Sequence, residues 1–260
     1  MCKNTQTVFQ IPEIPFSADF IPQIPSFFTE RGTIIHNRRN QIRIFEENGQ
    51  QINIKKYCIP PIVNRILYSL GWRTPKAKAT YQNAVKILEN GFLTPRPFGY
   101  ILQRRAGLLN FSYFISEQIQ NMRPMGYKKH SLALIHALAE YTADLHEKGM
   151  LHLDYTPNNI LISEKNGKYS FALVDINRFR FYKGEVPMGA VLTNLMKPFR
   201  EDEQIKLFVM EYVKRRGLDE TLYKKVLQRR HLRNAYDNFK SKLKKIPLAK
   251  FFLNKPLGKQ

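Results

Sequence analysis

Acidic residues are scarce in this chain. Its 21 Asp and Glu stand against 42 Lys and Arg, a formal net charge of +21 over 260 residues. Such a surface repels cations and attracts polyanions: nucleic acid, anionic lipid headgroups or acidic glycans. Charge alone does not choose among them. Cysteine is nearly absent. Cys2 and Cys58 make neither a disulfide framework nor a metal-ligand spacing, which fits a reduced, cytoplasmic protein. No run of about 18 apolar residues occurs, so no membrane-spanning helix is expected. The start, MCKNTQTVFQ, lacks the charged-then-apolar order of a secretory signal. No interleaved aromatic-basic motif of the recognised nucleic-acid-binding kinds is found, so no specific nucleic acid partner is expected. What remains is a globular composition, 43% apolar and 12% aromatic, long enough for a sizeable core.

Residues 1–30 are rich in proline. FQIPEIPF and FIPQIPSF form an imperfect doublet whose prolines disfavour helix and favour extended or polyproline backbone. The segment reads as an arm packed along the domain edge, or as an apolar arm for a membrane or partner. Residues 33–57 alternate as strands do, and Asn48-Gly49 marks a hairpin. KAKATYQNAVKILENG reads as a helix with Tyr81, Ala84, Val85 and Leu88 on one face and Gly91 as its C-terminal cap. FGYILQRRAGLLNFSYFIS reads as a strand pair turning near Arg105 to Gly107. Residues 130–148 carry Leu134, Leu138, Tyr141 and Leu145 at helical spacing. NILIS and YSFALVDI read as short strands joined by EKNGK. After residue 200 the chain looks helical and increasingly basic. From Tyr223 to Gln260 it holds 12 Lys or Arg and one acid, Asp237.

The segment LHLDYTPNNILI, residues 151–162, places His152, Asp154 and Asn159 at the spacing H-x-D-x-x-x-x-N just before a strand. Phosphoryl transfer needs clamped phosphates, a held metal and an oriented acceptor hydroxyl. Asp154 would accept the hydroxyl proton. Asn159 would ligate magnesium through its amide oxygen. A second hard oxygen ligand is needed at the end of the following hairpin, where ALVDIN supplies Asp175. Upstream, INIKK points Lys55 to the nucleotide phosphates and Lys56 to the opposite face. Each residue alone has a plainer explanation: a loop Asp is usually a turn or cap, and a strand Lys is usually solvated. His152 reads as a structural histidine. The order of all the parts is the specific signal.

On these segments the chain resembles the bacterial lipopolysaccharide kinases, a family of Kdo or heptose kinases with a protein-kinase-like fold. LHEKGMLHLDYTPNNILI is similar to the family's helix, catalytic loop and strand, and LVDINRFRF to its metal-binding segment. INIKKYCIPPIVNRILYSLGWRTPKAKATYQNA resembles its nucleotide lysine and following helix, and GFLTPRPFGYI its next strand entry. The likeness runs over roughly residues 31–215. It implies an α+β, bilobal fold, with an arm over 1–30, an antiparallel-sheet N-lobe over 31–116 and a helical C-lobe over 117–260. It implies ATP and Mg2+ as cofactors, with Lys55 on the phosphates, Asp154 as catalytic base, and Asn159 and Asp175 on the metal. The backbone of Glu117, Gln118 and Ile119 would meet the adenine. It also implies transfer of the γ-phosphoryl group to a sugar hydroxyl of the lipopolysaccharide inner core, at the cytoplasmic face of the inner membrane. The partners would be the lipid A-core precursor and the anionic membrane surface; the oligomeric state stays open.

Several positions depart from the kinase pattern. No G-x-G-x-x-G is present; the loop over the phosphates would be HNRRNQ, where Arg38, Arg39 and Asn40 can donate to phosphate oxygens. Gln82 stands where a helix Glu usually fixes the lysine, and would accept a hydrogen bond from Lys55 without charge pairing. Glu89, two turns on, is too far. Thr156 replaces the catalytic-loop Lys of many protein kinases, and Asn177 replaces the Gly of D-F-G. Near the end, Leu232, Tyr236, Phe239, Leu243 and Ile246 form an apolar helical face backed by Arg233, Lys240, Lys242, Lys244 and Lys245. That helix would dock on the helical lobe or lie on anionic membrane. Two other readings stand beside the lead one: a kinase of protein or small-molecule acceptors, and a catalytically dead, kinase-shaped module that binds membrane.

Overall fold

The computed structural model describes residues 4–243. In chain order the elements are β1 (Asn4–Gln10), α1 (Phe20–Phe27), β2 (Thr33–Asn37), β3 (Gln41–Glu47), β4 (Gln50–Tyr57), α2 (Ile62–Ser69), α3 (Lys76–Glu89), β5 (Pro97–Arg105), β6 (Leu108–Glu117), β7 (Arg123–Pro124), α4 (Leu132–Glu147), β8 (Met150–His152), β9 (Ile160–Lys165), β10 (Lys168–Leu173), β11 (Phe179–Phe181), α5 (Met188–Leu195), α6 (Asp202–Arg216) and α7 (Leu222–Leu243). They gather into two compact units. Among the described residues, one holds 4–126 and His152–Phe181; the other holds Tyr127–Leu151 and 182–243.

The first unit is built on a six-stranded antiparallel sheet in the order β1-β5-β6-β4-β3-β2. Three of its connections and hairpins turn through positive-φ pairs. Asn48 and Gly49 (φ 50° and 72°) join β3 to β4, and Asn166 and Gly167 (51° and 74°) join β9 to β10. These left-handed pairs match the twist of the strands they join. The β5–β6 turn uses Ala106 at φ 51° before Gly107, a conformation for which alanine has none of asparagine's local hydrogen-bonding compensation.

The proline-rich segment runs along the sheet edge only at its start; its later part is helical and packs into the core. Residues 20–27 form α1, and Phe16, Phe20, Ile21, Ile24 and Phe28 are buried in one core with Phe45, Ile52, Ile54, Phe98, Ile101, Tyr113 and Ile115 of the sheet. Pro22 falls in the first helical turn, where its missing N–H costs nothing. Pro25 removes one later bond, and the buried apolar side chains around it offset the loss. Ahead of α1, β1 pairs with β5 and becomes an edge strand of the sheet.

In the second unit α4 packs against α6. Ser131 caps α4 by accepting from the Leu134 N–H. His146, buried, meets the Tyr212 hydroxyl at 3.0 Å through Nδ1 and Asn194 Oδ1 at 3.2 Å through Nε2, and burial pushes its pKa down to about 4. Along the outside, Arg215 bridges Asp144 and Glu147. The first half of α7 is anchored by buried Leu222 and Val226, but from His231 to Lys242 every residue is exposed. The apolar row Leu232, Tyr236 and Phe239 is therefore undocked among the described residues, which removes the docked alternative for this row and leaves the membrane alternative untested. Ile246, Lys244 and Lys245 lie outside them, as does the side chain of Leu243.

Close backbone approach limits one sheet position. A Cβ on Gly99 of β5 would overlap the Phe9 carbonyl oxygen of β1 and lie 3.0 Å from Gln10 Cα. Backbone cannot yield as a side chain can, so Gly99→Ala should lower stability by about 1–3 kcal/mol in urea denaturation. Gly189→Ala in α5, where a Cβ meets nothing within 4 Å, should hold or raise stability.

Candidate active site

Strand alternation sets the first half of the site. On β4, Ile52 and Ile54 face the core, so Asn53, Lys55 and Tyr57 face the other way. Lys56 parts from Lys55 and puts its ammonium 4.2 Å from the centre of the Phe111 ring. Tyr57 is fixed to α3 through Thr80 at 2.8 Å. Thr80 already donates to the Lys76 carbonyl, so the Tyr57 hydroxyl is the donor.

The second half rests on a tied loop. His152 is buried. Its Nδ1 accepts the Asp154 N–H at 3.1 Å, so Nε2 carries the proton and donates to the Val174 carbonyl at 2.9 Å. The Asp154 carbonyl takes the Thr156 N–H at 2.8 Å and the Asn159 amide at 2.9 Å. That leaves the Asn159 side-chain oxygen without a donor among the described residues. Val174 N–H donates to the Asn159 carbonyl at 3.0 Å, and Ile160 pairs with Leu173. The β9–β10 register thus brings Asn159 and Asp175 to one end of one hairpin. The Asp154 side chain is exposed beside them.

Asp175 joins the halves. Its Oδ1 accepts from Lys55 Nζ and from Asn177 Nδ2, each at 2.7 Å. Its backbone is left-handed, φ 55° and ψ 43°, strain that surrounding bonds must hold. Burial pushes the Asp175 carboxyl up, but the Lys55 charge and the two hydrogen bonds outweigh it and hold the group below the usual carboxylate range. Burial likewise opposes the charge on Lys55, yet its pKa is raised. The neighbouring Tyr57 phenol is itself pushed up by burial and stays neutral, so Asp175 is the partner that matters. The Lys55 side chain is 13% exposed and that of Asp175 37%, so solvent reaches the acid more than the cation.

These groups border a cavity of about 610 Å3 within the first unit, a size suited to a cofactor-sized ligand. Asn40, Glu117, Gln118, Ile119, Asn159, Lys55 and Asp175 all line it. Gln118 accepts from Asn53 at 2.7 Å and donates to the Ile119 carbonyl at 3.2 Å, which stiffens that segment. Arg38 and Arg39 are exposed on the β2–β3 loop. Arg39 turns to Cys58, its Nε 3.4 Å from Sγ, and Asn40 accepts the Cys58 N–H.

Gln82 does not meet Lys55. It is exposed, makes no hydrogen bond among the described residues, and lies two positions from both Thr80 and Ala84 of the buried face, on the far side of α3. The residue that turns inward is Asn83, which donates to the Ile176 carbonyl at 2.7 Å. Sequence reading also passed over Asn53, Thr80 and Lys76. Asn53 was recoverable, being two residues from Lys55 on the same strand face. Lys76 opens α3, where burial and then Arg39 hold its pKa down while Asp175 and Lys55 also act on it.

The lowered Asp175 value fixes a pH window. The pair's stabilisation is complete above the ordinary carboxylate range and is lost as pH falls through Asp175's lower folded value. In Lys55→Met the Asp175 midpoint should move up in a side-chain NMR titration, and in Asn177→Ala by less. The stability gap between Lys55→Met and wild type should narrow as the pH falls through that window.

A model of the lipopolysaccharide kinase (Kdo/WaaP) family matches residues 29–183, ending short of the likeness read to residue 215. Among solved structures, the chain is similar to WaaP in complex with acyl carrier protein, 14% identical, covering 80% of this chain and 90% of that one with a TM-score of 0.56. It is also similar to an aminoglycoside-3'-phosphotransferase of type VIII, 13% identical, covering 76% and 92% with a TM-score of 0.50. At these identities the likeness shows a shared kinase-like fold. No curated protein shows sequence similarity to the chain. The family match spans well over half of the 260 residues and takes in Lys55, Asp154, Asn159 and Asp175, so the chain belongs to the lipopolysaccharide kinase (Kdo/WaaP) family and is a phosphotransferase.

Proposed function

We propose that the site transfers the γ-phosphoryl group of ATP to a hydroxyl of Kdo or heptose in the lipopolysaccharide inner core. The observation that carries this is the convergence of Asp154, Asn159 and Asp175 at one hairpin end, beside a cavity that Lys55 lines. Adenine would lie along Glu117, Gln118 and Ile119, and the phosphates would run toward Lys55 with Asn40 and the Arg38–Arg39 loop above them. Lys55 would exchange part of its contact with Asp175 for phosphate oxygens.

The donor set suits Mg2+. Asn159 offers its amide oxygen, because its NH2 is spent on the Asp154 carbonyl, and Asp175 offers Oδ2, because Oδ1 is spent on Lys55 and Asn177. Bound there, the ion would supply positive charge to the phosphate oxygens. Asp154 accepts the proton of the sugar hydroxyl as its oxygen bonds to the γ-phosphorus and the bond to the bridging oxygen breaks, leaving ADP. The His152 bond to the Asp154 N–H holds the loop for this step. The acceptor would be reached at the anionic cytoplasmic face of the inner membrane, to which a net charge of +21 is suited. The lobes would divide the work, with residues 31–116 taking the nucleotide and 117–260 supplying the catalytic loop and basic helices.

Transfer of labelled γ-phosphate to Kdo-lipid A and to heptosylated acceptors is the test. Label should appear on the glycolipid with Mg2+. Asp154→Asn should reduce the rate by about 10²–10⁴-fold with nucleotide affinity little changed. Nucleotide binding without label on any glycolipid would overturn the sugar acceptor and favour another acceptor or an inactive, kinase-shaped binding module.

A further inference from the structure

Helix α2 is built inside out. Its body-facing side is largely polar: Arg65 Nε donates to the Leu109 carbonyl at 2.7 Å, and Ser69 Oγ accepts the Leu109 N–H at 2.9 Å, beside buried Tyr68. Its outward side is apolar. Ile62, Ile66 and Leu70 lie four residues apart in one row with Val63 next to them, all exposed, and Trp72 just beyond is 75% exposed. A surface helix of a globular domain has the reverse arrangement. Scattered exposed apolar residues are ordinary, but these five, on α2 and just past its end, form a patch that signals a partner.

Charge identifies the partner. From Asn48 to Ser116 the chain carries ten Lys and Arg and a single acid, Glu89. Arg73 is exposed at the end of the apolar row, with a guanidinium nitrogen 2.8 Å from Asn64 Oδ1. The β5–β6 register sets exposed Arg105 opposite Leu108, at the strand end on which α2 rests. An apolar ridge in a cationic field fits a surface that is apolar inside and anionic at its rim. A second copy of this chain offers the first but carries the same positive charge. At about 12 Å long, α2 is too short to span a bilayer and long enough to lie in its interface. We propose that α2 and Trp72 are a membrane-inserting element that seats the protein on anionic phospholipid, with Ile62, Val63, Ile66 and Leu70 entering the acyl boundary and the flanking arginines meeting headgroup phosphates. This goes beyond the phosphotransfer reading and does not depend on it.

Trp72 is the chain's one tryptophan, so the native protein reports on this face directly. The experiment mixes the full chain with phosphatidylglycerol–phosphatidylcholine vesicles, with neither nucleotide nor glycolipid present. Trp72 emission should move to shorter wavelength and be quenched by bromine-labelled acyl chains, and much less so with phosphatidylcholine alone. Ile62→Asp/Ile66→Asp should weaken vesicle binding by about tenfold or more, with thermal melting unchanged because both side chains are exposed. The matching pair on α7, Leu232→Asp/Phe239→Asp, should retain binding. The proposal is overturned if vesicles do not bind, if bound protein keeps its solution emission, or if the loss follows the α7 pair. It is equally overturned if sedimentation shows the α2 face holding a dimer that excludes vesicles. Since no acceptor or nucleotide is present, a failed kinase assay leaves each of these readings intact.

Discussion

The ammonium of Lys55 and the carboxylate of Asp175 meet at 2.7 Å although 120 positions separate them in the chain. A half-buried pair of this kind adds little net stability, because desolvation consumes much of the attraction, but leaving either charge alone is costly. Its main effect is therefore positional. It couples the strand bearing Lys55 to the turn after β10, and it compensates the left-handed backbone that Asp175 adopts. Asn177 adds a second donor to the same oxygen, and His152 ties the loop of Asp154 to the carbonyl just before Asp175. Loss of the pair would loosen each of these contacts together.

Register performs the finer placement. In the β9–β10 hairpin, Ile160 opposite Leu173 sets Asn159 beside Val174, and from there Asp175 follows. A slip of one residue would turn the side chains of one strand to the other face. Asn166 and Gly167, by closing the hairpin with a two-residue left-handed turn, guard against that slip. The amide of Asn159 is likewise committed: by donating to the Asp154 carbonyl it presents its oxygen on the other side.

Much of this was legible because it follows from short-range rules. Period-two alternation separated Lys55 from Lys56, asparagine-glycine pairs marked two hairpins, and the spacing from His152 to Asn159 marked the loop and the family. Long-range geometry was not legible. Letter-by-letter matching put Gln82 at the lysine, whereas helical phase, set by burial of Ala77, Thr80, Ala84 and Ile87, turns Asn83 inward. Proline content argued against helix over residues 20–27, but core burial of Phe20, Ile21 and Ile24 prevails over local propensity. In the sequence Asn177 is only a missing glycine; its bond to Asp175 exists only in the folded turn.

Ala106 stands in the first turn position of the β5–β6 hairpin, the place that Asn48 and Asn166 occupy in the two other left-handed turns. A left-handed alanine costs roughly 1–2 kcal/mol, so this turn resists closing on its own. The long antiparallel ladder from Pro97 to Ser116 must supply the closing force. In kinetic terms the turn is a poor nucleus. The Asn48–Gly49 and Asn166–Gly167 hairpins can form from local preference, whereas the β5–β6 pair zips shut only once its strands have met.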